Sequence, residues 1–350
     1  MNPLRQALAA LNPAHSCGVW LQQLVRQGLG PLPLPGSGHT LQRWQALADV
    51  AAFDLSLVKL FEGHTDALAI LQELGALQLT GGQTVPEHAR WAVWASEAPP
   101  GRVTFSDGAE CGSVQLNGTK HWCSGASCVD LALLTAWDAN GSAPQLVALP
   151  LAQSGVRVVR DAWQAVGMAA SGSFDVQLTH ATGWRVGTPG AYLSRSGFWH
   201  GGAGIAACWY GGAMALATTL HQSMEEQAAR TGGAALSPFK LAAAGRADMA
   251  LRSTAALLRD AARWIDKHPT RDACSVALRT RLAAQACAQQ VLDDVGRALG
   301  PTPFCHHAAF ARLAADLPVF IRQCATDADF AALGQRVLQQ ASEEGTPWLL

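Results

Sequence analysis

The side chains best suited to chemistry stand together in residues 114–126, where Trp122, Ser124 and Gly125 follow one another. A flat ring and a hydroxyl two residues apart share one face of a strand. Such a pair suits a planar ligand, with the ring to stack on and the hydroxyl to bond its edge. An ordinary hairpin with a half-buried tryptophan is the plainer reading of the same residues. Asn117-Gly118 lies between Val114 and Leu116 on one side and His121 and Trp122 on the other. Asn-Gly tolerates positive φ, so the spacing predicts antiparallel strands at 112–117 and 120–124 joined by a two-residue loop.

The elements that must position this stretch alternate in the same way. Runs rich in Val, Thr and Trp predict further strands at 90–96, 130–137, 144–149, 155–159 and 173–180. Turns are expected at Pro99-Pro100-Gly101, Asp107-Gly108 and Asn140-Gly141. A small barrel or sandwich results. Before it, residues 1–30 read as helical with a break at Pro13, and the proline-rich 30–38 is a loop. A helix over 41–52, capped by Thr40 or Ser37, precedes another that starts at Thr65 and ends at Gly75. After the strands, helices are predicted at 198–229, 238–267, 270–299, 304–324 and 327–341, punctuated by Gly232-Gly233, Pro269 and Gly300-Pro301. The long ones make an antiparallel bundle. The class is α+β, mostly α, with an N-terminal helical domain over 1–87, a central small β-barrel domain over 88–190 and a C-terminal four-helix bundle over 191–350.

Of the 350 residues, 49% are apolar and only 15% charged, which leaves apolar surface for partner subunits to cover. A net charge of −1 offers no basic field for nucleic acid. Nine cysteines without a Cys-x-x-Cys pair point to free thiols in a reducing, cytoplasmic setting. No apolar run reaches the roughly 20 residues of a membrane helix. The Ala- and Gly-rich 201–218 comes nearest and reads as a buried helix, packed closely or leaving room for a ligand chain.

Four stretches, in order, resemble the acyl-CoA dehydrogenase family. Residues 116–124 resemble its flavin strand, Leu-Asn-Gly-x-Lys-x-Trp-x-Thr. Trp94-Ala95-Ser96-Glu97-Ala98-Pro99 resembles its Thr-Glu-Pro strand end, and residues 166–173 resemble its Leu-Gly-Met-Arg-Ala-Ser-Gly-Ser. Ile205-Ala206-Ala207 with Gly211 and Gly212 resembles its first bundle helix. The resemblance implies FAD. Ser96 would bond the pyrimidine edge, Trp122 would pack on the ring, and Ser124 would keep the hydroxyl donor that the family's Thr offers to N5. Arg230 would reach the pyrophosphate of a neighbouring subunit in a homodimer or homotetramer; a solvated helix end is the alternative. Only Gly296, Gly300 and Ala315-Asp316 stand for the family's later phosphate contacts. The N-terminal helical region is shorter than the family's usual one.

The family's reaction is α,β-desaturation of an acyl thioester, with electron-transfer flavoprotein as oxidant. A Glu removes the α proton from one of two positions. Here one position is Gly201-Gly202, and the other region, 324–329, contains no Glu. His200 adjoins the first, and histidine is the side chain type suited to take up a proton around neutral pH, so it is the first substitute base; a buried, hydrogen-bonded histidine is the alternative. Asp327, Asp329, Cys305-His306-His307, Glu62 and His64 are weaker candidates. Glu343 and Glu344 read as a solvated tail. A second reading is a monooxygenase on the same fold, which lacks the Glu and takes reduced flavin from a separate reductase. Ser124-Gly125 fits that reading. A third is a non-catalytic relative acting in assembly or ligand binding.

Overall fold

Short polar residues set the first helix. Asn2 Oδ1 accepts from the Leu4 N–H at 2.9 Å, and Pro3 occupies the first helical position, where no N–H is needed. The structure, a computed structural model, describes residues 2–76, 86–97, 102–139, 141–230, 236–323 and 325–344. The expected features at Ala98 to Gly101, Asn140, Gly232-Gly233 and Cys324, and the side chains of Glu343 and Glu344, lie outside the described residues.

By packing, the chain forms two compact units, 1–34 with 56–198, and 35–55 with 199–350. The first holds α1 (Pro3–Ala9), α2 (Cys17–Arg26), most of α4 (Leu55–Glu73), seven strands and α5 (Ala191–Ser194). The second holds α3 (Thr40–Phe53), nearly all of α6 (Gly197–Arg230), α7 (Pro238–Lys267), α8 (Cys274–Leu299), α9 (Thr302–His306), α10 (Ala308–Phe320) and α11 (Thr326–Glu344). α3 thus belongs with the C-terminal helices, not with the helices that flank it in sequence.

The strands are β1 (Trp91–Trp94), β2 (Thr104–Asp107), β3 (Ser113–Cys123), β4 (Leu131–Asp138), β5 (Gln145–Pro150), β6 (Val156–Val159) and β7 (Phe174–Val186). β4 pairs with both β2 and β5, and β2, β3, β7 and β5 complete the ring. β1 adds parallel to β4, and β6 adds to β7. Closure gives the ring strands partners on both sides. β5, and β4 up to Ala136, are buried along their length, so they lack the alternation of a half-exposed strand. Ile70 and Leu71 of α4 share a core cluster with Trp91, Leu131, Leu133 and Leu146, each such side chain worth roughly 2 kcal/mol.

The expected Asn117-Gly118 hairpin does not form. β3 runs through it as one strand, and the β2–β3 hairpin turns instead at Gly108 to Gly112, where Gly108 N–H donates to Ser113 O at 3.0 Å. Leu116 pairs with Ala181 and Gly118 with Leu178, so β7 carries the extra residue of a bulge. His180 there has φ +50°, and its N–H donates to Asn117 Oδ1 at 2.9 Å. Gly118 has φ +122°, and a Cβ would stand 2.7 Å from Arg102 O. The Asn-Gly signal was real, but it serves a bulge and a close backbone crossing.

Among the helices, α4 continues through Thr65, where a new helix was expected. The Thr65 hydroxyl donates back to Glu62 O at 3.1 Å inside the helix. α3 starts at Thr40, but its N-terminus is satisfied by Asp266 of α7. That carboxylate accepts from Gly38 N–H at 3.0 Å, Thr40 N–H at 3.1 Å and the Thr40 hydroxyl at 2.6 Å. The small residues of α6 serve close packing. A Cβ on Gly211 would lie 2.4 Å from Ala48 O and 2.8 Å from Ala51 Cβ, both on α3. Trp209 is fully buried, edge-on to Phe320 at 6.4 Å. By length and composition α6 could cross a membrane, yet 67% of its most apolar window is buried within the protein.

Candidate functional site

The site is built where β3 loses its regularity. Lys120 pairs with Val176 and Cys123 with Phe174, so three steps along β3 span two along β7. The extra residue is absorbed at Trp122, which has φ +57°. A bulge re-aims the side chain it carries. Trp122 is 59% exposed, whereas no other described tryptophan is in the exposed class. Ser124 lies just past the strand in a turn, so the regular alternation that would place it on one face with Trp122 is broken.

Two other stretches close on this strand end. Trp94 Nε1–H donates to Ser124 O at 3.0 Å, bringing in the end of β1. Glu97, three residues on, accepts from Lys120 Nζ at 3.0 Å. Lys120 is almost wholly buried, and its ammonium also donates to Thr135 Oγ1 at 2.8 Å and Thr135 O at 3.2 Å. The Thr135 hydroxyl and Trp137 Nε1–H both donate to Glu97. All three ammonium protons thus have acceptors. Burial lowers the Lys120 pKa, and the Glu97 carboxylate opposes that shift. This network ties the segment carrying Ser96, itself exposed, to β3 and β4.

The third stretch is 168–173. Met168, buried and with φ +58°, leads into a tight turn over Ala169–Ser171. Gly125 N–H donates to Ser171 O at 2.9 Å. The Ser124 and Ser173 hydroxyl oxygens are 2.7 Å apart, and those of Ser173 and Ser171 are 2.8 Å apart. Ser171 Oγ–H donates to Met168 O at 2.7 Å. Beside them, His121 Nδ1 lies 2.8 Å from Asp175 Oδ2, fastening β3 to β7. Cys123, turned inward, has a thiol whose pKa is pushed up by burial. Sequence reasoning singled out Ser96, Trp122 and Ser124 as candidates but gave no role to Lys120, Glu97, Ser171 or Ser173. The Ser-Gly-Ser spacing was the signal for the last two.

The other candidates are placed differently. His200 is 1% exposed, and the Cβ position of Gly36 is 3.3 Å from its Nδ1 and 3.3 Å from Pro269 Cβ. It is a core histidine of the helical unit. A Cβ on Gly202, by contrast, would meet nothing within 4 Å. Arg230 is exposed at the other end of α6, roughly 45 Å from His200 along the helix, and lies 3.9 Å from Glu226. Asp329 pairs with Arg281 at 3.2 Å, and Asp327 is exposed in the first turn of α11. Cys305, His306 and His307 are exposed, and no metal-binding cluster occurs among the described residues. Glu62 lies 3.4 Å from Lys59. His64 is buried, accepts from Trp91 N–H at 3.2 Å, and burial lowers its pKa to about 4.

A cavity of about 290 Å³ opens in the helical unit among Phe53, Asp54, Met214, Phe310, Arg312 and Asp316. Met214 is roughly 20 Å along α6 from His200, and of the residues that the resemblance names the cavity holds Asp316 but no base candidate and none of Ser96, Trp122, Ser124 or Arg230.

The sequence matches no family profile and no curated protein. Solved structures share the fold. TdsC from Paenibacillus sp. A11-2, a dibenzothiophene monooxygenase solved with FMN and indole, aligns with a TM-score of 0.78 at 20% identity, covering 96% of this chain and 93% of that one. Methanesulfinate monooxygenase MsuC from Pseudomonas fluorescens aligns at 0.73 and 18%, with 97% of each chain covered. KijD3, solved with FMN and dTDP-3-amino-2,3,6-trideoxy-4-keto-3-methyl-D-glucose, aligns at 0.77 and 18%, with 95% of this chain and 91% of that one covered. At these identities the likeness is one of fold, and the fold is that of the acyl-CoA dehydrogenase type.

Proposed function

We propose that this chain is a flavin-dependent monooxygenase, taking reduced flavin from a separate reductase and passing one oxygen atom of O2 to a small organic substrate. The observation that carries the reading is the state of the base positions. Gly201-Gly202 fill one, Asp329 near the other is paired with Arg281, and His200 is shut in the core. Desaturation of an acyl thioester needs a base within reach of the α carbon. Oxygen transfer to a sulfur or nitrogen centre does not. The balance is substrate plus O2 plus reduced flavin giving oxygenated substrate, water and oxidised flavin.

The residues of the barrel unit fit a flavin. Trp122 offers an exposed ring, Ser124 a half-buried hydroxyl held by its neighbours, and Ser96 is an exposed serine. Bound there, reduced flavin supplies the two electrons that activate O2. FMN replaces FAD in our reading. The later phosphate contacts are thin, and Gly296 packs instead against Phe304, whose ring lies 3.1 Å from its Cβ position. The TdsC and KijD3 structures contain FMN. The sulfur substrates named for TdsC and MsuC, and the amino sugar bound by KijD3, support an electron-rich sulfur or nitrogen centre as the site of oxygenation.

The test is oxygen uptake by the purified chain with FMN, NADH and an added flavin reductase, with product mass measured over a panel of sulfur and nitrogen heterocycles. A gain of one oxygen atom that requires the chain is expected. Anaerobic bleaching of bound flavin by an acyl-CoA would overturn the reading in favour of dehydrogenation. Failure to bind flavin in either redox state would favour a non-catalytic role.

A further inference from the structure

The hydrogen-bonded serines have a direction. Each hydroxyl has one proton, and the chain ends on the Met168 carbonyl, which can only accept. Ser171 therefore donates to Met168 O at 2.7 Å. The contact between Ser171 and Ser173, at 2.8 Å, must then use the Ser173 proton. The contact between Ser173 and Ser124, at 2.7 Å, must use the Ser124 proton. Any other arrangement leaves two oxygens facing each other with no hydrogen between them. Ser173 is 7% exposed and Ser171 1%, so water does not readily substitute for a missing partner. The αL backbone of Met168 and the tight turn after it hold the accepting carbonyl in place.

From this we infer that Ser171 and Ser173 fix the half-buried Ser124 hydroxyl as a hydrogen-bond acceptor toward the flavin, so that the site favours reduced over oxidised flavin. The inference rests on the flavin reading above and corrects the expectation that Ser124 donates to N5. Oxidised flavin presents a bare N5, which accepts. Reduction places a hydrogen on N5, which then donates. A serine whose proton is already committed meets the second form with a hydrogen bond and the first with lone pairs opposed. Ser173 and Ser171 are positioning residues: they act on the flavin only through Ser124.

The experiment measures the Kd of the full chain for FMN twice, once oxidised in air and once reduced by dithionite under argon. The reduced form is expected to bind about tenfold tighter, the worth of one hydrogen bond, which raises the bound two-electron potential by about 30 mV. Ser173→Ala frees the Ser124 proton to turn toward the ligand, so the ratio should fall toward one, chiefly through tighter binding of the oxidised form. Ser173→Thr, which keeps the hydroxyl, should restore the ratio. Ser171→Ala removes the acceptor that sets the direction and should also lower the ratio. That variant serves if Ser173→Ala does not fold, as judged by circular dichroism. A wild-type ratio of one, or a ratio that Ser173→Ala and Ser171→Ala leave unchanged, overturns the inference while the flavin reading stands. No binding of either form overturns the flavin reading and the inference with it.

Discussion

In the barrel unit, buried polar side chains bond to one another beneath residues left open. Lys120 and Thr135 form one such group, closed at the surface by Glu97, and Ser171 with Ser173 another, while Trp122 and Ser96 face outward. In the helical unit, polar side chains finish helix ends and pair off the groups that resembled catalysts. Asp266 caps α3, Asp294 holds both Arg246 and Arg297, and Arg281 takes Asp329. At the barrel end of the family resemblance the exposed polar residues are thus left open, while at the acid–base end Asp329 is paired and His200 is buried. That division is the one our proposal, a reaction that needs a flavin but no carbon acid chemistry, requires.

The strongest way to break this comparison is to attack the polar interior of the barrel. Glu97→Gln leaves the Lys120 ammonium buried without its counter-charge and should lower unfolding free energy by roughly 3 kcal/mol in denaturant titration. An unmoved midpoint would mean that the pair is not what secures the Ser96 segment. Acid should act in the same unit through His64. Its folded pKa, about 4, lies below the ordinary 6.5, so the stability from its neutral form is complete above pH 6.5. That stability is lost as pH falls to 4, by up to roughly 3 kcal/mol. His64→Gln should flatten this acid limb, and an identical limb in the variant would remove His64 as its cause.

Gly211→Ala sharpens the helical side. Its methyl group would collide with Ala48 O, and a loss of about 2 kcal/mol is expected with flavin affinity intact. Trp122→Ala does the reverse: FMN affinity should fall about tenfold, by loss of the stacking ring, while the melting temperature hardly moves. The smallest effect expected is on turnover in His200→Gln. If that histidine is scaffold, kcat per folded protein stays within about twofold of wild type, below 0.5 kcal/mol of barrier. A loss of two orders of magnitude would return it to the role of base.

Much of this was legible in the sequence, for identifiable reasons. Helix 238–267 was read to the residue because Ser237-Pro238 and His268-Pro269 bracket an unbroken periodic run. β2 was missed, since four mostly exposed residues carry no burial pattern. The single helix expected over 304–324 divides at His307, whose backbone is extended. Asn117-Gly118 misled because positive φ suits a bulge as well as a hairpin, and only the partner strand decides between them. Around the candidate site, type and spacing were enough to single out Trp122 and Ser96, which the structure leaves exposed. Lys120 could not, since nothing local reveals that Glu97 and Thr135 fold against it. The burial of His200 was equally out of reach, because Gly36, which packs beside it, lies far away along the chain.

The membership of α3 in the helical unit bears on heredity as much as on stability. That unit is written in two separate passages of the gene, 35–55 and 199–350. A fragment starting at residue 199 would keep Asp266 with no helix end to receive it, and Gly211 with no Ala48 to make its lack of a side chain useful. Recombination that moved the C-terminal half alone would deliver an unfinished core. A transplant of the helical unit must therefore carry 35–55 together with 199–350.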